Sequence, residues 1–247
     1  MPRYDFRTPR LFVDAPLRAA AQVALAREQA NYLFNVLRLE RGSAVLVFNG
    51  RDGEWGACVS ATGKRDSALA LEERLREQPV ARDLQFLFAP LKHARLDYLV
   101  QKAVEMGASR VQPIRTQHTQ VARVNVERMR ANVIEAAEQC GVLNIAQVGE
   151  SASFANAIEA LPAETLLVFC DEDAEVKDPI AALSAAAPHQ GLAIVIGPEG
   201  GFSQAERQAL LQRPNTIRLS LGPRILRADT AAVAALAIVQ AVLGDWR

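Results

Sequence analysis

Residues 192–203, LAIVIGPEGGFS, and residues 217–230, IRLSLGPRILRADT, decide the fold. Each opens with a short apolar run, as expected of a strand buried on both faces, then breaks into glycine, proline and charge. Ser203 and Glu206 form a capping box, so a helix starts directly after the first loop. Asp229 or Thr230 would cap the helix after the second. Strand, loop and helix, twice over, describe a parallel sheet, and ligands of such sheets bind at the carboxyl ends of the strands. Three glycines within five residues allow the first loop to approach a ligand closely or to adopt positive φ. A third strand, 166–170, runs into the acidic loop Asp171-Glu172-Asp173-Ala174-Glu175.

The alternation continues outward from these segments. Apolar runs at 84–88, 111–114, 166–170, 192–196 and 217–221 read as strands. Stretches at 96–106, 126–140, 154–161, 204–212 and 230–243 read as helices. The expected class is α/β, a mostly parallel sheet covered on both faces. The N-terminal part differs. Strand-like runs at 11–13, 44–48, 55–61 and 67–71, a turn-rich NGRDG at 49–53 and one helix at 28–39 suggest a small barrel. The polar segment 72–82, EERLREQPVAR, reads as a linker.

Half of the 247 residues are apolar, 23% are charged and the mean hydropathy is +0.02, which describes a chain able to bury a core. Cys58, Cys140 and Cys170 form no C-x-x-C pair, and His93, His118 and His189 have no ligand-like spacing, so neither a disulfide framework nor a metal site is expected. Reduced thiols point to the cytoplasm. The polar start MPRYDFRTPR does not read as a signal peptide, and the longest apolar stretch, 231–239, is too short for a membrane span. Neither a dinucleotide fingerprint, a P-loop nor a hydrolase elbow occurs.

Several segments, in this order, carry a family resemblance: NYLFNVLRLERGSAVLVFNG (31–50), LDYLVQKAVEMGASRVQPI (96–114), IEAAEQCG (134–141), IGPEGGFSQAE (196–206) and LGPRILRADTA (221–231). Together they closely resemble the bacterial 16S ribosomal RNA (uracil-N3)-methyltransferases, the RsmE type of the SPOUT superfamily. The resemblance implies a PUA-like β-barrel for RNA over residues 1–75 and a SPOUT methyltransferase domain over 76–247, its C-terminal strands and helix tied into a deep trefoil knot. It implies S-adenosylmethionine as cofactor, 16S rRNA of the 30S subunit as substrate, and a homodimer, in which the Ala-rich last helix would suit close packing.

The implied cofactor pocket lies between three loops, with Phe169 and Cys170 on the first, Ile196, Gly197, Pro198, Glu199, Gly200 and Gly201 on the second, and Leu219, Leu221, Gly222, Ile225 and Leu226 on the third. Uracil N3 carries a proton at neutral pH, and a guanidinium would stabilise the anion formed when that proton leaves. Arg227 is the candidate for that role, and Asp229 is a candidate proton acceptor or a helix cap. Glu199 is expected to orient its loop or touch the ligand. Lys102 and Glu105 are spaced to pair along one helix face. Arg10, Arg38, Arg41, Lys92, Lys102 and Arg224 are the RNA-contact candidates, with Arg3 and Arg7 beside them. Two segments depart from the family pattern: RTQHTQVAR at 115–123, where His118 offers a polar group, and Val142 in place of an arginine.

Three alternatives fit parts of this pattern. They are a SPOUT enzyme for transfer RNA, a catalytically silent RNA-binding relative and, least well, a Rossmann oxidoreductase. The formal charge is zero, with 28 basic and 28 acidic residues, yet residues 171–178 alone hold five carboxylates against one lysine. The remainder is therefore mildly basic, as an RNA-binding surface requires.

Overall fold

The computed structural model describes residues 7–63, 66–92, 94–121, 123–175, 178–186 and 189–246. Arg3 lies outside them. The chain divides into two compact units. One runs up to Val80 and also takes Ala137–Ile145; the other takes Ala81–Ala136 and the chain from Ala146 onward.

The first unit holds β1 (Arg10–Phe12), β2 (Gln22–Ala24), α1 (Arg27–Asn31), β3 (Ala44–Phe48), β4 (Glu54–Ala61) and β5 (Ala68–Arg76). Its sheet runs β1-β3-β4-β5-β2; β1 and β3 are parallel and the other pairs antiparallel. Alternating residues Val45 and Val47, Ala57 and Val59, and Leu69 and Leu71 face a core that Leu11, Val23 and Leu33 complete. The helix expected at 28–39 is α1 followed by a π-helical turn, Tyr32–Val36. The wider turn breaks the helical face, and Val36 is left 61% exposed.

The linker expected at 72–82 begins as strand, because β5 continues to Arg76. Arg76 lies opposite Glu54, and its Nε is 3.1 Å from Glu54 Oε2. Glu54 is buried and also accepts Arg10 Nε at 2.7 Å. Arg10 Nη1 donates to the carbonyls of Ala137 at 2.6 Å and Glu138 at 3.1 Å, in the last turn of the helix Val126–Cys140. Helix ends leave such carbonyls unpaired, and a guanidinium satisfies both the bonds and the negative end of the dipole. Arg10, expected on the RNA-facing surface, is thus only 7% exposed and engaged internally.

The second unit holds β6 (Leu84–Phe88), α2 (Ala94–Glu105), β7 (Arg110–Arg115), α3 (Val126–Cys140, up to Ala136), β8 (Gln147–Val148), β9 (Ala152–Ser153), α4 (Phe154–Glu159), β10 (Thr165–Cys170), α5 (Pro179–Ser184), β11 (Gly191–Ile196), α6 (Gln204–Gln212), β12 (Thr216–Leu219) and α7 (Ala228–Val242). The sheet order is β12-β10-β11-β6-β7-β8, with every pairing parallel and β9 also joined to β7. All six residues of β11 are buried, which explains its unbroken apolar sequence. Phe86 and Phe88, fully buried, stack with centroids 5.2 Å apart; burying such a side chain stabilises by roughly 1.5–3 kcal/mol.

β12 ends two residues earlier than expected and α7 begins two residues earlier. Arg227 therefore holds the N-cap position, without a side-chain cap, and Asp229 and Thr230 lie inside the first turn. α5, capped by Asp178 through the amides of Ile180 and Ala181 and opened by Pro179, is not among the helices expected above, although Asp178-Pro179 is a helix-start signal. Ala232, Ala235, Leu236 and Val239 of α7 are buried, and the helix packs on α2 and α5. Among the described residues no helix is long and apolar enough to cross a membrane.

Candidate functional site

β12, β10 and β11 are adjacent and parallel, so the loops that follow them emerge at the same edge of the sheet. They enclose a cavity of about 310 Å³, within the usual range for small-molecule sites. Phe169, Cys170, Ile196, Gly197, Pro198, Glu199, Gly201, Leu219, Leu221, Gly222, Ile225 and Leu226 all line it. Gly200 does not, and its carbonyl instead receives His118 Nδ1 at 3.0 Å. Arg224, an RNA-contact candidate, is exposed and also lines the cavity.

The glycine loop is shaped by close packing. A Cβ on Gly197 would lie 2.9 Å from the Phe202 ring, and Gly201 has φ +67°. Phe202 packs edge-on against Phe169, centroids 5.5 Å apart, beneath the loop. The capping box is present: Ser203 Oγ accepts from the Glu206 amide, and Glu206 Oε2 accepts from the Ser203 amide at 2.9 Å. Glu206 Oε1 also accepts the Gln117 amide at 2.8 Å. The segment around His118, unlike the family pattern in sequence, thus holds the glycine loop from outside; Nδ1 must carry the imidazole proton to donate to the Gly200 carbonyl.

Two charged clusters set the remaining walls. Asp171, buried, accepts Arg207 Nη2 at 3.0 Å and Arg218 Nε at 2.9 Å, joining the acidic loop to α6 and β12. Arg218 Nη2 also donates to the Asp173 carbonyl at 2.8 Å. Arg95, near the start of α2, donates from Nε to Asp229 Oδ2 at 3.0 Å and from Nη1 to Glu199 Oε1 at 2.9 Å. That hydrogen bond holds the Asp229 carboxyl below the usual carboxylate range, against the opposing effect of its burial. Burial, and then the Asp171 carboxylate, push the Cys170 thiol up to about 12. Neither Asp171, Arg207, Arg218 nor Arg95 stands out in the sequence; the acidic loop is conspicuous there only as charge.

The other candidates are spread more widely. Arg227 is exposed and absent from the cavity lining, though Leu226 and Ala228 on either side of it line the cavity. Lys92 borders a second cavity of about 170 Å³ with Pro90, Leu91, Arg95, Gln120, Val121 and Glu199. Lys102 donates to both oxygens of Glu105 at 2.6 Å, the pairing that their spacing predicts, and sits 5.5 Å from the Tyr98 ring centre. Arg7, Arg38 and Arg41 are exposed on the first unit, and Arg38 has φ +56° just after the π-helical turn. Among the described residues no group of three metal-ligating side chains occurs.

A parallel sheet with a loop-built cavity at its carboxyl edge, preceded by a small five-stranded unit, describes an α/β domain that binds a small molecule where its strands end. A model of the RNA methyltransferase domain matches residues 76–240, and one of the RNA methyltransferase PUA domain matches residues 25–72. The chain belongs to the ribosomal RNA small subunit methyltransferase E family. It is 30% identical to that enzyme of Rickettsia conorii over 232 residues, 94% of each chain, and 27% identical to that of Bacillus subtilis over 90% of this chain and 91% of the other. Among solved structures it is similar to the Neisseria gonorrhoeae ribosomal RNA small subunit methyltransferase E bound to S-adenosyl methionine (TM-score 0.87, 25% identity, 97% of this chain and 100% of that one). It is also similar to the Legionella pneumophila methyltransferase Lpg2936 in complex with the same cofactor (TM-score 0.83, 26% identity, 95% and 98%).

Proposed function

We propose that this protein methylates N3 of a uridine in 16S ribosomal RNA, within the 30S subunit, using S-adenosylmethionine. One observation carries the reading: three loops from adjacent parallel strands, two of them glycine-bearing, meet on one cavity with arginines at its third loop. The cavity suits such a cofactor. It offers Ile196, Leu219, Leu221, Leu226 and Phe202 as apolar walls, loop backbone for the adenine edge, and the carboxylates of Glu172 and Asp173 for a cationic group. Bound there, S-adenosylmethionine supplies a methyl group on a positively charged sulfur.

The chain's own residues supply alignment and charge. Phe202 and the His118 contact brace the glycine loop, and the Asp171 cluster braces the acidic loop, which orients the walls for a ligand. Arg227, exposed on the turn between the third loop and α7, adds positive charge beside the cavity, where Leu226 and Ala228 on either side of it line the wall. Arg38 and Arg41 hold phosphates, and replacing both with alanine lowers the salt slope of binding by about 2 units. The half-exposed Val233, Ala234, Ala237 and Ile238 of α7 support a homodimer, which sedimentation tests. The knot of the SPOUT fold belongs to the same reading, as do the division of roles between residues 1–75 and 76–247 and a cytoplasmic location.

The test is transfer of labelled methyl to 30S subunits from cells lacking this gene, followed by mass spectrometry of the modified nucleoside. N3-methyluridine in 16S RNA is the expected product. A different modified nucleoside, or no label in 16S RNA, overturns the proposal.

A further inference from the structure

We infer that the smaller cavity receives the uracil and that Glu199 takes the N3 proton, an inference that rests on the function proposed above. N3 lies on the pairing edge of the base, so an enzyme acting there must draw the base into a pocket of its own. The cavity of about 170 Å³ is such a pocket, and Glu199 is the residue common to its lining and that of the larger cavity.

The chemistry of the lining matches the base. The pairing edge of uracil reads acceptor, donor, acceptor, from O2 through N3–H to O4. Lys92 and Arg95 bring donors, Gln120 an amide, and Glu199 an acceptor, while Pro90, Leu91 and Val121 supply apolar contact. Arg95 Nη2 is buried and makes no hydrogen bond among the described residues, as expected if a ligand oxygen completes its set.

Glu199 is also better placed than Asp229 to accept a proton. Asp229 has both oxygens engaged, Oδ2 by Arg95 and Oδ1 by the Thr230 amide, and Arg95 favours its charged form. Glu199 uses Oε1 for Arg95, and among the described residues its Oε2 has no partner. The charged groups around Glu199 are Lys92 beside it, Arg95 from α2, Asp229 of α7 through Arg95, and His118 on the adjoining Gly200 carbonyl. Across the larger cavity stand Glu172, Asp173, Arg207 and Arg224.

The step balances. The N3 proton passes to the Glu199 carboxylate, and the N–H electron pair becomes the bond from N3 to the methyl carbon. The pair of the breaking carbon–sulfur bond stays on sulfur, which leaves as a neutral thioether. Neutral Glu199 then returns its proton to water.

Glu199→Gln in the full chain tests the assignment. Transfer to 30S subunits at neutral pH is expected to fall by about 100-fold or more, with S-adenosylmethionine affinity by calorimetry, 30S binding and unfolding temperature each close to wild type. The residual rate should climb about tenfold per pH unit toward the N3 ionisation. It should also recover at least about tenfold on 30S subunits carrying 5-fluorouridine, whose N3 is more acidic. Val121→Trp, which fills the small cavity, should abolish transfer and leave cofactor affinity unchanged. A Glu199→Gln rate near wild type, a parallel loss of cofactor affinity, or no gain with 5-fluorouridine overturns the role of Glu199, and an active Val121→Trp overturns the pocket. An inactive wild-type chain overturns the functional reading and this inference with it; an active one beside a fully active Glu199→Gln overturns this inference alone.

Discussion

Arg95 Nε lies 3.0 Å from Asp229 Oδ2, across 134 positions of sequence, and ties the start of α2 to the first turn of α7. The same guanidinium reaches Glu199, 104 positions away, so one cation gathers three segments beside the cavity. Ion pairs with this much exposure contribute about 0.2–1 kcal/mol each, too little to hold the fold but enough to choose among loop positions.

Acid should weaken this tie in a defined window. Asp229 has a folded pKa below its ordinary 3.8, so its contribution is complete above that value and is lost as pH falls through the lower folded value. Wild type is expected to unfold about 2 °C above Asp229→Asn at neutral pH. The gap should narrow below about pH 4 and close as pH falls through the lower folded value. Scanning calorimetry across pH checks it; a gap that persists undiminished in acid contradicts the pairing.

Gly197→Ala places a Cβ 2.9 Å from the Phe202 ring, which Phe154 and Phe169 already flank. The ring has little room to yield. Overpacking of this kind costs about 1–3 kcal/mol and should tilt the loop enough to weaken S-adenosylmethionine binding by about tenfold. Calorimetric titration and a denaturant melt report the two effects separately.

In the first unit, Glu54→Gln leaves Arg10 and Arg76 without their shared carboxylate, in a site where Glu54 and Arg10 are almost wholly buried. Breaking a buried pair on one side costs about 3–5 kcal/mol. Guanidinium unfolding should show that loss, while cofactor affinity measured under folding conditions stays near wild type.

Thiol chemistry should separate Cys170 from Cys140. With its pKa raised to about 12, Cys170 is thiolate in about one molecule in ten thousand at pH 8. Cys140 is exposed. Iodoacetamide followed by peptide mass spectrometry is expected to label Cys140 at least about tenfold faster, and equal rates would contradict the raised pKa of the Cys170 thiol.

What could be read from the sequence was local. β6, β10 and β11 show as apolar runs because both faces are buried, and the cap of α6 shows because Ser203 and Glu206 are three residues apart. The glycine loops announce the cavity for the same reason. α5 is only six residues long and follows an acidic tract, so periodicity does not mark it, and the Asp178-Pro179 start is its one signal. The π-helical turn keeps the residue types of a helix and alters only their phase. The roles of Arg95, His118 and Asp171 depend on partners 134, 82 and 47 positions away, which no window of sequence contains. Arg10 is the clearest case: nothing near it in the chain distinguishes a phosphate-binding arginine from one that caps a distant helix.

The segment Ala137–Ile145 belongs to the N-terminal unit although 56 residues of the other unit precede it in the chain. Besides the Arg10 bonds, Glu138 Oε1 accepts the Phe12 amide, Arg76 Nη2 donates to the Gly141 carbonyl, and Gln78 Nε2 to Asn144 Oδ1. During synthesis this unit therefore cannot finish folding when its own strands emerge. It waits, with Arg10 and Glu54 lacking their lid, until about sixty further residues have followed; at ribosomal speeds that is a delay of seconds. A fragment cut at residue 80 would stay permanently in that unfinished state, whereas one with residues 137–145 supplied as a separate peptide could be completed.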